Sequence, residues 1–313
     1  MEDKDLLIKY VNVNLLQSEV IVLKDVNLDV RKGDFIYLIG KVGSGKSTLL
    51  KSFYAEVPIA SGEEARIFDY NLKKIKRSQI PYLRRKLGIV YQDFQLLIDR
   101  TIHDNLMFVL KATGWKKKDA EKRIDEVLKL VGMENKGYKM PHQLSGGEQQ
   151  RIVIARAMLN KPDIILADEP TGHLDPGTGK DIIELLRSIC KNGTTMIMST
   201  HNLNWLDMYP GRVIRFGDEK LVEIDGNGNE IAAEPTMTNK DSKDEDIDET
   251  ATDTEEKEIA NQDDSNNNGE ETHQSITEET KISEEKEDES STQTQKRKIS
   301  IPRREESTDN ETN

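Results

Sequence analysis

The chain has 313 residues and a net charge of −13, and residues 233–313 alone, with 26 acidic and 10 basic side chains, carry −16. Residues 1–232 therefore carry only +3, which excludes the strong basic footprint typical of nucleic-acid-binding proteins. The single cysteine, Cys190, excludes an internal disulfide, and no stretch approaches the ~18 apolar residues that a membrane-spanning helix needs.

The beginning of the chain predicts strands. Leu6–Tyr10 and Val20–Val30 are predicted to be short strands of a small antiparallel layer. Phe35–Ile39 is a short, wholly apolar run rich in strand formers, which is typical of a strand covered on both faces.

A glycine-rich segment follows this third strand directly. Residues 40–47 read Gly-Lys-Val-Gly-Ser-Gly-Lys-Ser, which matches a phosphate-binding loop, although a glycine-rich turn can fit the same pattern. Lys46 is predicted to reach the β- and γ-phosphates, and Ser47 to hold Mg²⁺. The candidate nucleotide-binding residues here are Gly40, Lys41, Val42, Gly43, Ser44, Gly45, Lys46, Ser47 and Thr48.

The middle of the chain is predicted to be helical. Apolar residues recur at i, i+3, i+4 and i+7 in a charged segment, as expected for an amphipathic helix: Ile124, Val127, Leu128 and Val131. A second helix is predicted at Gly147–Asn160, where Lys161-Pro162 ends the pattern.

The segment before that second helix reads Leu-Ser-Gly-Gly-Glu-Gln-Gln-Arg over residues 144–151. Ser-Gly-Gly at a helix start can bind an anion, so Ser145, Gly146 and Gly147 are candidate nucleotide contacts; a plain glycine-rich cap is the alternative. One nucleotide needs only one phosphate cradle. A second cradle is explained if two chains pair head to tail, each covering the nucleotide of the other.

Two further strands are predicted at Ile164–Ala167 and Thr195–Met198. The first ends in Asp168 and Glu169, where Asp168 is expected to hold Mg²⁺ and Glu169 to act as general base on the attacking water. The alternative is a pair of helix N-cap carboxylates, with Pro170 starting a helix. The alternation of strands and helices predicts an α/β domain with a largely parallel core sheet.

The composition changes after residue 231. Residues 233–313 contain no aromatic side chain and are rich in acidic and small polar residues, so we predict a disordered acidic tail at 232–313. A basic patch interrupts this tail at residues 296–304.

Taken in order, these motifs resemble those of ABC ATPases over roughly residues 6–231. The resemblance implies an ABC-type P-loop domain at 1–231, with a helical subdomain at about 93–143, that binds ATP and Mg²⁺. It also implies that Gln92 contacts Mg²⁺ or the attacking water and that His201 contacts the γ-phosphate. Asp175, after Leu174, would cross the interface of an ATP-sandwich dimer formed with a second copy.

Residues 84–101 carry a more specific resemblance, through Gln-Asp-Phe, then Leu-Leu, then Asp-Arg-Thr. The segment is similar to that of the FtsE group of bacterial cell-division ATPases, whose membrane partner is FtsX. This implies an FtsX-like permease subunit and a cytoplasmic location on the inner face of the cell membrane through that partner. A lipoprotein-release or macrolide-export ATPase is the nearer alternative, and a nucleic-acid-associated ABC protein is the more remote one; no nucleic-acid partner is expected.

Some positions depart from the ABC pattern or allow more than one interpretation. Leu16 or Gln17 stands where a base-stacking aromatic is common, so we predict relaxed base selectivity, with Tyr10 as a substitute stacking surface. His173 stands where close relatives have Asn. Residues 96–98, Leu-Leu-Ile, are interpreted either as part of a groove for a partner's helix or as ordinary core.

Overall fold

Residues 4–231 are described by the computed structural model. Their first layer is an antiparallel sheet with the strands β1 (Leu6–Gln17), β2 (Val20–Arg31), β4 (Ile59–Ser61), β5 (Glu64–Ile67) and β6 (Tyr70–Asn71). In this sheet β2, β1, β5 and β6 are neighbours in that order, and β4 also pairs with β1.

The antiparallel layer was predicted, but β1 runs well past its predicted end at Tyr10. The pairing of β1 with β2 shifts register between Tyr10 and Val13, and Asn12 adopts a positive φ of 51° at this bulge. The Asn12 backbone N–H donates to Asn27 Oδ1 at 3.0 Å, so a side chain replaces the lost ladder bond. Because the bulge interrupts the alternation of apolar residues, the sequence pattern shows the strand as shorter than it is.

The second sheet has the strands β3 (Phe35–Gly40), β7 (Leu87–Val90), β8 (Ile164–Ala167), β9 (Thr195–Ser199), β10 (Arg212–Gly217) and β11 (Lys220–Ile224). Their order in the sheet is β11-β10-β3-β9-β8-β7. All neighbouring pairs are parallel except β10 with β11. The three predicted apolar strands and the largely parallel core sheet are therefore confirmed.

The parallel sheet separates two hydrophobic cores. Tyr37 on β3 belongs to the core shared with the long helices, whereas Ile36 and Leu38 belong to the core shared with the antiparallel layer. Because β3 is covered on both faces, its sequence is continuously apolar.

Helices occupy the segments between the parallel strands. They are α1 (Lys46–Phe53), α2 (Ile80–Arg85), α3 (Ile102–Ala112), α4 (Lys117–Leu130), α5 (Gly146–Met158), α6 (Pro176–Lys191) and α7 (Asn204–Met208), with one 3₁₀ turn at Pro141–Gln143. The two predicted helices correspond to α4 and α5. The second starts at Gly146 and ends at Met158, so the predicted start was one residue too late and the predicted end was two residues too late.

No helix within residues 4–231 combines the length and apolar character needed to cross a membrane. The predicted acidic tail at 232–313 and its basic patch at 296–304 lie outside the described residues.

Candidate functional site

The strand order brings four of the predicted motifs to one edge of the parallel sheet. The glycine-rich loop follows β3, His201 follows β9, Asp168 and Glu169 follow β8, and Gln92 follows β7. Since β3, β9, β8 and β7 are consecutive parallel neighbours, their carboxyl ends lie side by side. This edge is where open α/β sheets bind ligands.

The glycine-rich loop has the properties of a phosphate cradle. α1 starts at Lys46 without a side-chain cap, which leaves its first backbone N–H groups available to an anion. Ser44 Oγ is buried and has no hydrogen-bond partner among the described residues. Gly40 adopts a φ of +146°, and a Cβ there would lie 2.8 Å from Phe216 O, so only glycine fits.

Lys46 is held inside this loop. Its Nζ donates to the backbone oxygens of Gly40 and Lys41, each at 2.9 Å, and the residue is largely buried. Burial lowers the pKa of Lys46, while the carboxylates of Glu169 and Asp168 act in the opposite direction. A cation kept here by backbone carbonyls suits the binding of a phosphate group.

Ser199 bonds the carboxylate of Asp168 and the backbone of Glu169 at the end of β8. Its Oγ donates to Asp168 Oδ1 at 2.6 Å and accepts from the backbone N–H of Glu169 at 2.9 Å. The residue is fully buried at the end of β9. Sequence reasoning missed Ser199, although a serine that follows the apolar run at 196–198, two residues before His201, is a usable signal.

The backbone of Glu169 adopts a positive φ of 45°, a conformation that costs about 1–3 kcal/mol in a non-glycine residue. Its Oε1 contacts Nε2 of His201. Residues 170–173 form turns, and the next helix begins at Pro176. The alternative in which Pro170 starts a helix was therefore wrong.

Glu169, Asp175 and His201 line one cavity of about 400 Å³, together with Trp205. The indole N–H of Trp205 is buried and has no hydrogen-bond partner among the described residues. Asp175 is also the N-cap of α6, because its Oδ1 accepts from the Thr178 backbone N–H at 3.0 Å.

Ser145, Gly146 and Gly147 do not line this cavity. Ser145 is exposed and is the N-cap of α5, and its Oγ accepts from the Glu148 backbone N–H at 3.3 Å. A Cβ at Gly147 would overlap Thr178 Cγ2, so this glycine permits close contact between α5 and α6.

Gln92 is exposed, and the loop after it is anchored to α5. Phe94 and Gln95 both adopt positive φ values, and Arg156 donates to the backbone oxygens of both residues. Burial lowers the pKa of the Arg156 guanidinium. Sequence reasoning missed Arg156; a lone arginine in the apolar stretch of α5 was the available signal.

The structure corrects the suggestion that Tyr10 offers a surface for base stacking. Tyr10 is only 1% exposed, its hydroxyl lies 3.0 Å from Ser52 Oγ, and its ring packs on Phe53. Gln17 instead lies beside the phosphate loop, where its Oε1 accepts from Thr48 Oγ1 at 2.8 Å. His173 is exposed, and nothing in the structure explains it.

Comparisons with known proteins agree with this geometry. A family model described as ABC transporter matches residues 23–172. The cell division ATP-binding protein FtsE of Streptococcus pneumoniae serotype 2 is 41% identical over 206 residues, covering 66% of this chain and 89% of the relative. FtsE of Mycobacterium tuberculosis is 43% identical over 207 residues, with the same coverage.

A solved structure of a dimeric ATP-binding cassette in a post-hydrolysis state, bound to ADP and Pi, superposes with a TM-score of 0.61 at 33% identity. The match covers 68% of this chain and 96% of that one. With a phosphate cradle and paired carboxylates at one sheet edge, and relatives of this similarity, the chain belongs to the FtsE family of ABC ATPases, which bind and hydrolyse ATP.

Proposed function

We propose that this chain is the ATP-hydrolysing subunit of a bacterial cell-division ABC complex. Two copies and an FtsX-like membrane subunit would couple ATP hydrolysis to control of cell-wall hydrolysis at the septum. The ATPase domain would be residues 1–231, with its helical subdomain at about 93–143. The observation that carries the proposal is the contact of Glu169 with His201, next to Asp168 and the phosphate loop.

Different residues of this chain would bind the phosphates, accept the proton of the attacking water and hold Mg²⁺. Lys46 and the loop amides would hold the phosphates, and Glu169 would accept the proton of the attacking water while His201 keeps its carboxylate in place. Ser47, Asp168 and Gln92 would hold Mg²⁺, which when bound neutralises phosphate charge. The hydrogen bond from Ser199 orients Asp168 Oδ1, which supports these residues as ligands for Mg²⁺.

A second copy would complete each site. Ser145, Gly146 and Gly147 stand at the start of α5, where Ser145 is exposed, and they do not line the cavity that contains Glu169. A helix start with free amides binds anions, so it would serve the nucleotide of the other copy, with Asp175 at the interface. The dimeric state of the related cassette supports this arrangement.

The membrane partner would dock beside the loop that follows Gln92. A groove of about 320 Å³ lies between α2, β7, α3 and α5, and its lining combines apolar Leu87 and Val109 with basic Arg84, Arg85 and Arg156. Such a lining fits an amphipathic helix that carries acidic residues. This contact would place the chain on the cytoplasmic face of the membrane.

Within residues 96–98, one side chain fits the core interpretation and another fits the interpretation as a partner contact. Leu96 packs against the core, whereas Ile98 is 78% exposed. Ile98 is therefore the member of this group that remains available to a partner. Asn105 keeps the segment ordered, since its side chain bonds both the N–H and the C=O of Leu97.

The test is affinity capture of the full-length chain from its native membranes. We expect an FtsX-like permease subunit to be captured, and we expect Ala112→Glu, in the groove, to reduce its recovery. The matched control is Ala60→Glu, an exposed alanine on β4. Capture of a lipoprotein-release or macrolide-export membrane chain instead would move the assignment to that class.

A further inference from the structure

The start of α5 is closed by a reciprocal pair of hydrogen bonds. The Glu148 backbone N–H donates to Ser145 Oγ at 3.3 Å, and the Ser145 backbone N–H donates to Glu148 Oε2 at 2.9 Å. This capping box uses one acceptor position of the Ser145 hydroxyl. The O–H of Ser145 remains available to donate to a ligand.

Lys136 engages the other oxygen of the same carboxylate. Its Nζ lies 3.1 Å from Glu148 Oε1. The backbone around Lys136 is anchored, because its N–H donates to Met133 O at 3.0 Å and the next residue, Gly137, accepts from the His103 backbone N–H at 2.8 Å. The lysine therefore reaches Glu148 from a turn that is tied to the start of α3.

The ion pair between Lys136 and Glu148 offsets an unfavourable negative charge at the start of α5. The positive end of a helix attracts phosphate, but a carboxylate in the first turn competes with it and repels a second anion. The capping bond from Ser145 and the ion pair with Lys136 both lower the pKa of Glu148, so this carboxyl is ionised at neutral pH. Without a counter-charge, its negative charge would oppose nucleotide binding at the same helix end.

We propose that Lys136 is a positioning residue for ATP hydrolysis: it neutralises Glu148, and thereby keeps Ser145 and the start of α5 receptive to the phosphates held by a second copy. The inference rests on the proposed function, in which Ser145 acts on the nucleotide of the other chain. It adds a residue that lies outside the nucleotide motifs and acts through Glu148.

The experiment is a double-mutant cycle on the full-length chain, with steady-state ATPase kinetics and thermal unfolding measured for each variant. Lys136→Met should raise the KM for ATP by about 2–5-fold, the size expected for one unit charge near a helix end, with kcat little changed. Lys136→Arg should restore the wild-type KM. In a Glu148→Gln background, where Gln retains the capping bond without the charge, Lys136→Met should have no further effect.

Lys9→Met is the matched control, because Lys9 makes a comparable ion pair, 3.3 Å from Glu64, in the antiparallel layer. An unchanged KM in Lys136→Met, or an equal rise in both backgrounds, would overturn the inference. The Ser145→Ala variant distinguishes a failure of the shared nucleotide site from a failure of the role assigned to Lys136. If Ser145→Ala is fully active, the shared-site proposal itself fails; if it is inactive while Lys136→Met behaves as wild type, only the role of Lys136 is lost.

Discussion

Gly147 on α5 lies so close to Thr178 on α6 that a Cβ at position 147 would overlap Thr178 Cγ2. Gly147→Ala is therefore expected to lower ATPase activity and to destabilise the domain by about 1–3 kcal/mol, as overpacking usually does. Thr178→Ser should restore part of both losses, because serine lacks Cγ2 and the remaining Cβ and Oγ1 positions lie at 3.7 and 3.9 Å.

ATPase rates and melting temperatures of the two single variants and the double variant test this prediction. Gly137→Ala is the control, since a Cβ there makes an ordinary contact 3.5 Å from Leu128 Cδ1. If the double variant recovers stability but no activity, Gly147 is needed for nucleotide binding rather than for the contact with α6.

Replacing the proposed general base should separate binding from hydrolysis. Glu169→Gln is expected to bind ATP and to slow steady-state turnover by about 10²–10⁴-fold, because the amide cannot accept the proton of the attacking water. Calorimetric ATP binding and phosphate release measure the two steps. Glu184→Gln, at an exposed carboxylate bonded to Tyr209, is the control; turnover near the wild-type rate in Glu169→Gln would remove Glu169 from this role.

Ser199 should act on Mg²⁺ through Asp168. Ser199→Ala removes the 2.6 Å bond to Asp168 Oδ1 and leaves the Glu169 N–H without its acceptor. We expect activity or apparent Mg²⁺ affinity to fall by about 10–100-fold, as for other residues that orient metal ligands. Mg²⁺ titrations of ATPase activity measure the effect.

Ser52→Ala is the matched control for Ser199, because Ser52 is also buried and bonds Tyr10 and Leu49 O. It should lower the melting temperature without shifting the Mg²⁺ dependence. An identical Mg²⁺ titration for Ser199→Ala and the wild type would limit Ser199 to a structural role.

Base selectivity is expected to be weak. No aromatic ring stands at Leu16 or Gln17, and the stacking contribution of about 0.5–1.5 kcal/mol beyond area burial is therefore missing. Affinities for ATP and GTP should lie within about tenfold of each other, and Gln17→Tyr should favour ATP. Tyr10→Phe should leave both affinities unchanged, because Tyr10 is buried; a strong ATP preference in the wild type would mean that another surface reads the base.

The sequence predicted those parts of the fold that depend on local patterns. Wholly apolar runs such as Ile164–Ala167 identified the buried parallel strands, and the motif order placed Lys46, Glu169 and His201 in the segments that follow such strands. The length of β1 could not be read in this way, because the Asn12 bulge breaks the alternation on which strand recognition depends.

The contacts that position the site residues could not be predicted from local sequence patterns. Ser199 reaches Glu169 across 30 positions of the chain, and Arg156 reaches Phe94 across 62. Nothing in the sequence around Ser199 or Arg156 indicates its partner, since both pairings arise only when β8, β9 and α5 pack together.

Trp205 gives the molecule an internal fluorophore at the place where the chemistry is expected. Its indole lines the cavity of Glu169 and His201, and its N–H is unpartnered among the described residues, so any group entering that cavity changes the polarity around the ring. The chain has two tryptophans, and the other, Trp115, is hydrogen-bonded to Asn160. A Trp115→Phe variant would therefore emit from Trp205 alone, and nucleotide binding and dimer closure would become visible as a change in its emission wavelength and its accessibility to quenchers.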